Sequence, residues 1–269
     1  MTAAVPTAPG PPGVALPRRR SPAADGPRKA PVGAARPTLQ QERRLWRSGH
    51  ECVAGIDEVG RGAWAGPLSV GVAVVRPGAR TRSLPKWLRD SKLLPEERRE
   101  TIFDEVAAWC SAWSVGHASA AECDRWGMTA AQRLATCRAL AGLGVVPDAV
   151  VLDGPYDFVK ERTPQLPGLE PGDGTAPWPP LPDVVLPRLV VPMIDADQHC
   201  AAVSAASVLA KVVRDRIMRA EAEHYPAYEF ERNKGYPSPT HKFALRGYGL
   251  SVIHRRSWAF VSGVPWSVA

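Results

Sequence analysis

The chain has 269 residues, 45% of them hydrophobic and 23% charged, the make-up of a water-soluble globular domain long enough to bury a proper core. No run reaches the ~18 consecutive apolar residues of a membrane span, and prolines and arginines interrupt every apolar run before Arg20, which argues against a secretory leader. The formal charge is +7, but six basic residues against Asp25 place +5 of it within residues 1–40, so net charge alone does not establish a polyanionic partner for the body of the chain.

Those 40 residues hold nine of the 28 prolines and too little apolar surface to offset chain entropy, so they are expected to form a disordered, basic, proline-rich tail. Residues 40–47 read as a short helix carrying Leu45 and Trp46. A strand from Val53 to Ile56 then runs into Asp57 and Glu58, and Gly60, Arg61 and Gly62 make a turn. Residues 68–75 are apolar at nearly every position, the mark of a strand central in its sheet. Pro95 opens a helix to about residue 108, with Ile102, Val106 and Trp109 on one face. Residues 111–119 read as a strand, 120–143 as one or two helices, and 149–152 as a strand that delivers Asp153.

Residues 160–188 carry eight prolines and read as a surface insertion. A strand follows at Leu189, Val190 and Val191, and after it come Asp195 and Asp197. A helix over residues 203–218 would bury Val203, Ala206, Ala210, Val213 and Ile217, while Ser204, Ala205, Ala206 and Ser207 let it approach a sheet closely. Beyond Pro226 the chain alternates loops and helices. Strands alternating with helices predict a mixed α/β layer fold. The five cysteines form no CxxC pair and are odd in number, which favours a reducing, cytoplasmic setting over a zinc site or disulfide framework.

An Asp-Glu pair beside a glycine turn is ordinarily a solvated surface feature; its flanks make this one different. Asp57 and Asp153 end apolar strands and Asp197 follows a third, so all three are expected at one edge of a sheet, where open α/β sheets place their sites. Neighbours on a strand point to opposite faces, so Asp57 and Glu58 share a ligand only if the strand stops between them, and Gly60 and Gly62 supply such a stop. Carboxylates without histidine or cysteine form a hard ligand set suited to Mg²⁺ or Mn²⁺. Such acids repel one another unless a cation sits among them, and two such ions serve phosphodiester hydrolysis.

Taken in order, Gly55-Ile56-Asp57-Glu58-Val59-Gly60-Arg61-Gly62, Ala65-Gly66-Pro67, Asp90-Ser91-Lys92, Leu152-Asp153-Gly154, the helix from Ser204 to Asp215, Lys234-Gly235-Tyr236-Pro237, His241 and His254-Arg255-Arg256-Ser257 closely resemble the ribonuclease HII (type 2 ribonuclease H) family. The resemblance spans about residues 50–260. It implies a ribonuclease H-like fold, a mixed central sheet flanked by helices, with a C-terminal helical extension. It also implies cleavage of the RNA strand of RNA–DNA hybrids and of single ribonucleotides embedded in duplex DNA. Cleavage falls on the 5′ side of the ribonucleotide and leaves 3′-hydroxyl and 5′-phosphate ends. By position, Asp57, Glu58, Asp153 and Asp197 match the catalytic, metal-binding acids, with Asp195 a nearby decoy. Gly60, Arg61 and Gly62 match the motif that recognises the ribose 2′-hydroxyl, and Tyr236 matches the tyrosine that stacks on the following deoxynucleotide. Lys92 and Lys211 are basic groups within reach of phosphates, and Arg214 and Asp215 suggest a structural ion pair. Arg255 and Arg256 either touch the nucleic-acid backbone or cap the C-terminal region, and His241 is assigned no role.

The resemblance frames a catalytic domain over residues 45–265, its substrate-binding helical part at about 216–265, acting as a monomer with no membrane association. Two segments lie outside the family core, the tail and the insertion, and Ala63-Trp64 stands where the family commonly has Pro-Leu, putting a large aromatic beside the recognition turn. The alternative is a catalytically weak nucleic-acid-binding relative of the same fold.

Overall fold

The structure is a computed structural model that describes residues 36–78, 83–160 and 179–264. The chain begins with helix α1 (Gln40–Arg47) and proceeds through β1 (Val53–Val59), β2 (Leu68–Val75), α2 (Glu96–Trp109), β3 (Ala112–Ala118), α3 (Ala120–Ala141), β4 (Ala149–Asp153) and β5 (Leu189–Met193). The short α4 (Ala196–His199) and the long α5 (Ala201–His224) follow, and α6 (Phe230–Asn233) and α7 (Pro239–Tyr248) make up the C-terminal part. The five strands form one sheet in the order β3-β2-β1-β4-β5; β2 runs antiparallel to both of its neighbours, β1 and β3, and β4 and β5 run parallel to β1. The mixed α/β sheet expected from the sequence is present.

Every residue of β2 is buried, as an uninterrupted apolar run requires. Helix α5 lies across β1 and β2 on one face, and α3 covers β2 and β3 on the other. The close approach of α5 depends on two sheet glycines, because a Cβ at Gly55 would collide with the backbone of Ala202 and Val203, and one at Gly71 with that of Ala206. A capping box between Ser119 and Glu122 starts α3, and Gly127, with φ 75°, kinks it into two segments.

Three expectations are corrected. Strand β1 does not stop between Asp57 and Glu58 but runs on to Val59, held by pairing with β2 as far as Val59↔Ser69. The buried stripe of α5 is not the one expected beyond Ala210. Val213 and Ile217 are only half-buried, while Val212, Arg214, Asp215 and Met218 are buried, since the C-terminal part packs over this turn of the helix. Residues 36–40, assigned to the tail, are attached to the body: Arg36 donates to the carbonyls of Pro85 (3.2 Å) and Lys86 (2.6 Å), and Leu39 is buried. The expected disorder of residues 1–35 lies outside the described residues, as does the insertion over 161–178; Val184 and Leu186, from its last part, pack on the α3 side of the sheet.

Candidate active site

The site forms where parallel strands β1 and β4 end their pairing. The register stops at Ile56↔Leu152, so β1 continues past its neighbour with that edge open, carrying Asp57 and Glu58, while Asp153 closes β4. Asp57 lies on the α5 side, in line with Val53 and Gly55, and Glu58 on the other side, in line with Ala54 and Ile56. They join one cluster because, across the open edge, Asp57 senses Asp197 and Glu58 senses Asp153, not because the strand stops. Asp153 Oδ1 accepts from the Ala196 amide at 2.7 Å, which docks α4 against β4 and brings in Asp197. Asp197 is buried, and its carbonyl accepts from the Ser204 hydroxyl of α5. Asp195 is exposed with φ 55° and stands outside the cluster.

The carboxylates sense one another. Burial pushes the Asp57 carboxyl well up, and Glu58 and Asp197 push it further, while Lys92 and a hydrogen bond from Ser207 oppose them. Burial also raises Glu58 and Asp153, with further upward pressure from Asp153 on Glu58 and from Asp197 on Asp153. A fifth acid, Asp90, is buried beside Asp197, and its carboxyl is raised to about 6, chiefly by burial. Sequence reasoning missed it as a member of the cluster, although it stands in the Asp90-Ser91-Lys92 motif; its Oδ1 accepts from the Lys92 amide at 2.9 Å and starts the short turn Ser91–Leu93. The Lys92 ammonium lies 3.0 Å from Asp197 Oδ2, and its side chain is 61% exposed, so this lysine bridges the acids and the surface.

The turn that follows β1 is built from a distance. Gly60, with φ 85°, leaves no room for a Cβ beside the Arg214 guanidinium. Its amide donates to the Tyr236 hydroxyl at 3.2 Å, and a Cβ on Gly62 would meet the Tyr236 ring at 4.0 Å. The Arg61 side chain is 58% exposed, 3.8 Å from Glu58. The Gly235 carbonyl accepts from the amides of Trp64 (2.8 Å) and Ala65 (3.2 Å), so the segment holding Tyr236 is joined to the loop after the turn through backbone. Acids, turn and tyrosine are thus brought together, as the sequence led us to expect.

A family model described as ribonuclease HII matches residues 54–261. The chain belongs to the ribonuclease HII family. It is 42% identical over 230 residues to a ribonuclease HII of Streptomyces avermitilis, covering 85% of this chain and 86% of the relative. It is also 42% identical over 224 residues to a ribonuclease HII of Thermus thermophilus, covering 83% and 94%. Among solved structures, the ribonuclease H2 of Pyrococcus horikoshii superposes with a TM-score of 0.61 at 27% identity, over 79% of this chain and 96% of that one. Ribonuclease HII membership makes the protein a type 2 endoribonuclease of the ribonuclease H class, acting on nucleic acid with a divalent metal ion.

The residues present suit such an ion. Among the described residues no three acid, histidine or cysteine side chains stand close enough to hold a cation as they are, and Lys92 supplies the positive charge at Asp197. The donor set is nonetheless all oxygen, and its carboxylates raise one another's pKa, the condition that a hard divalent cation relieves.

Several other placements depart from the sequence reading. The Lys211 ammonium is 2.6 Å from Asp215 Oδ1 and its side chain is 16% exposed, so it belongs to a buried Arg99–Asp215–Lys211 network and not to an open phosphate-facing surface. Asp215 does not pair with Arg214, whose guanidinium donates to the carbonyls of Pro67 (2.8 Å), Lys234 (2.9 Å) and Ala65 (3.2 Å). Trp64 stacks on Phe260 with ring centroids 4.1 Å apart, which commits its ring to the C-terminal core. His241, given no role, is buried: its Nδ1 donates to the Tyr236 carbonyl (2.8 Å), and its Nε2 is 2.9 Å from His254 Nε2. Among the described residues no helix is long and apolar enough to cross a membrane.

Proposed function

We propose that the protein cleaves the RNA strand of RNA–DNA hybrids and nicks duplex DNA on the 5′ side of single embedded ribonucleotides, leaving 3′-hydroxyl and 5′-phosphate ends. In this reading Asp57, Glu58, Asp153 and Asp197 are the metal-holding acids, and the ion is Mg²⁺ or Mn²⁺. Bound there, it would supply the Lewis-acid chemistry for phosphodiester hydrolysis. The chain's own residues do the rest. Gly60, Arg61 and Gly62 recognise the ribose 2′-hydroxyl, which separates RNA from DNA at one nucleotide, and Tyr236 stacks on the sugar of the following deoxynucleotide. Lys92, exposed along most of its length, meets a phosphate as the acids take up a cation. The helical part over residues 216–265 lines the substrate.

The observation that carries this reading is the placement of two tasks on one strand: β1 presents Asp57 and Glu58 at an open sheet edge, then delivers the Gly60–Gly62 turn against the Tyr236 hydroxyl. One chain supplies every group, in keeping with a monomer, and the burial of all five cysteines is in keeping with a reducing cytoplasm. The test is a DNA duplex with one ribonucleotide, assayed with Mg²⁺ or Mn²⁺. The wild-type protein is expected to nick it and Asp57→Asn to lose nicking by several orders of magnitude; cleavage without metal, or full activity in the variant, would refute the assignment.

A further inference from the structure

Arg255 is fully buried, and among the described residues no carboxylate pairs with it. A buried cation without a counter-ion is costly unless oriented dipoles surround it. The dipoles here are the carbonyls of the glycine turn: Arg255 Nη2 donates to the carbonyl of Gly60 at 2.6 Å and to that of Gly66 at 3.4 Å, and Nη1 donates to that of Arg61 at 2.8 Å. The Trp258 ring lies 4.9 Å from the guanidinium. In a planar trans peptide the C=O of one residue and the N–H of the next point in opposite directions. Drawing the Gly60 and Arg61 carbonyls inward therefore turns the amides of Arg61 and Gly62 outward. Both residues are exposed, and neither amide donates a hydrogen bond among the described residues.

We propose that Arg255 is a positioning residue that sets the ribose selectivity of the site, by holding the Gly60–Arg61 and Arg61–Gly62 peptides so that two free amides face the incoming 2′-hydroxyl. The inference rests on the reading of this turn as the ribose reader. It makes a residue near the C-terminus, which touches no substrate, part of the discrimination between RNA and DNA. The planar guanidinium suits the task because it serves three carbonyls in one fixed fork, which a lysine ammonium on a flexible stem does not.

The experiment measures binding, without metal so that nothing is cut, of two labelled DNA duplexes identical but for one ribonucleotide. Wild-type protein is expected to prefer the ribonucleotide duplex, and Arg255→Lys to reduce that preference by roughly fivefold, about the worth of one hydrogen bond, with its affinity for the all-DNA duplex unchanged. Undiminished preference in Arg255→Lys, or equal weakening on both duplexes, would overturn the proposal. A wild-type protein that does not distinguish the duplexes would instead overturn the ribose-reading role of the turn. Should Arg255→Lys fail to fold, amide hydrogen exchange and chemical shifts in the wild-type protein decide. The Arg61 and Gly62 amides are expected to exchange fast in the free protein and to shift only with the ribonucleotide duplex. Protection of both amides in the free protein would count against it.

Discussion

His254 and His241 show how much of this site is settled by single side chains. The Tyr236 carbonyl can only accept, so His241 Nδ1 carries a proton; the Ser251 amide can only donate, so His254 Nδ1 carries none. His254 Nε2–H therefore donates to His241 Nε2, and both rings are neutral. Burial, followed by its neighbour His241, lowers the His254 pKa from the ordinary 6.5 to about 3, with the Ser251 backbone opposing and Arg256 adding to the shift. Burial lowers His241 as well. With folded values below the unfolded one, the unfolded chain takes up protons first. The stability due to the pair is thus full above pH 6.5 and is lost as pH falls toward 3. His254→Gln is expected to lose less stability than wild type between pH 7.5 and 5.5, the difference being at most about 1.4 kcal/mol per histidine for a one-unit drop below the ordinary pKa. Urea midpoints at the two pH values check this, and equal losses would refute it. The sequence could not reveal the pair, nor Arg214 and Arg255, because their partners are each other or backbone carbonyls, which leave no mark in residue type or spacing. The acids were legible for the opposite reason: Asp57 follows the apolar stretch Val53–Ile56 of β1, and Asp153 follows the apolar stretch of β4 and is its last residue.

At the scale of elements, α5 organises the molecule, and its small residues forecast that. Ser204, Ala205, Ala206 and Ser207 are all buried where the helix crosses Gly55 and Gly71. Apolar periodicity failed only past Ala210, where a second layer of chain covers the helix and burial no longer follows one stripe. What begins α5 was also hidden. Glu42 of α1, fully buried, accepts from the Ala202 amide at 2.7 Å and from the Cys200 thiol at 3.1 Å. Burial raises its carboxyl, partly offset by those hydrogen bonds. Thr38 adds backbone bonds to His199 and Ala201, so the segment before β1 clamps the α4–α5 joint that carries Asp197. Glu42→Ala leaves the Ala202 amide without its partner and is expected to lower stability by roughly 1–3 kcal/mol, read from urea unfolding; a loss near zero would show that the clamp is redundant.

For the whole molecule, a metal ion held by the acid cluster, as proposed, would link folding to metal binding. An ion that binds only the folded state stabilises it by about 2.7 kcal/mol at a hundred times its Kd, which for a domain of this size raises Tm by roughly 5–10 °C. Wild-type protein is expected to show such a rise with Mg²⁺ or Mn²⁺, and Asp57→Asn a smaller one; equal rises by differential scanning calorimetry would place the ion elsewhere. Arg255 adds a consequence in time. It reaches back 195 positions to the Gly60 carbonyl, and Asp57, Glu58, Asp153 and Asp197 all precede it in the chain. During synthesis a nascent chain therefore holds every acid of the cluster before it holds the side chain that finishes the turn. On the proposed reading, the tools for cutting leave the ribosome first, and the means of telling one sugar from another is completed last.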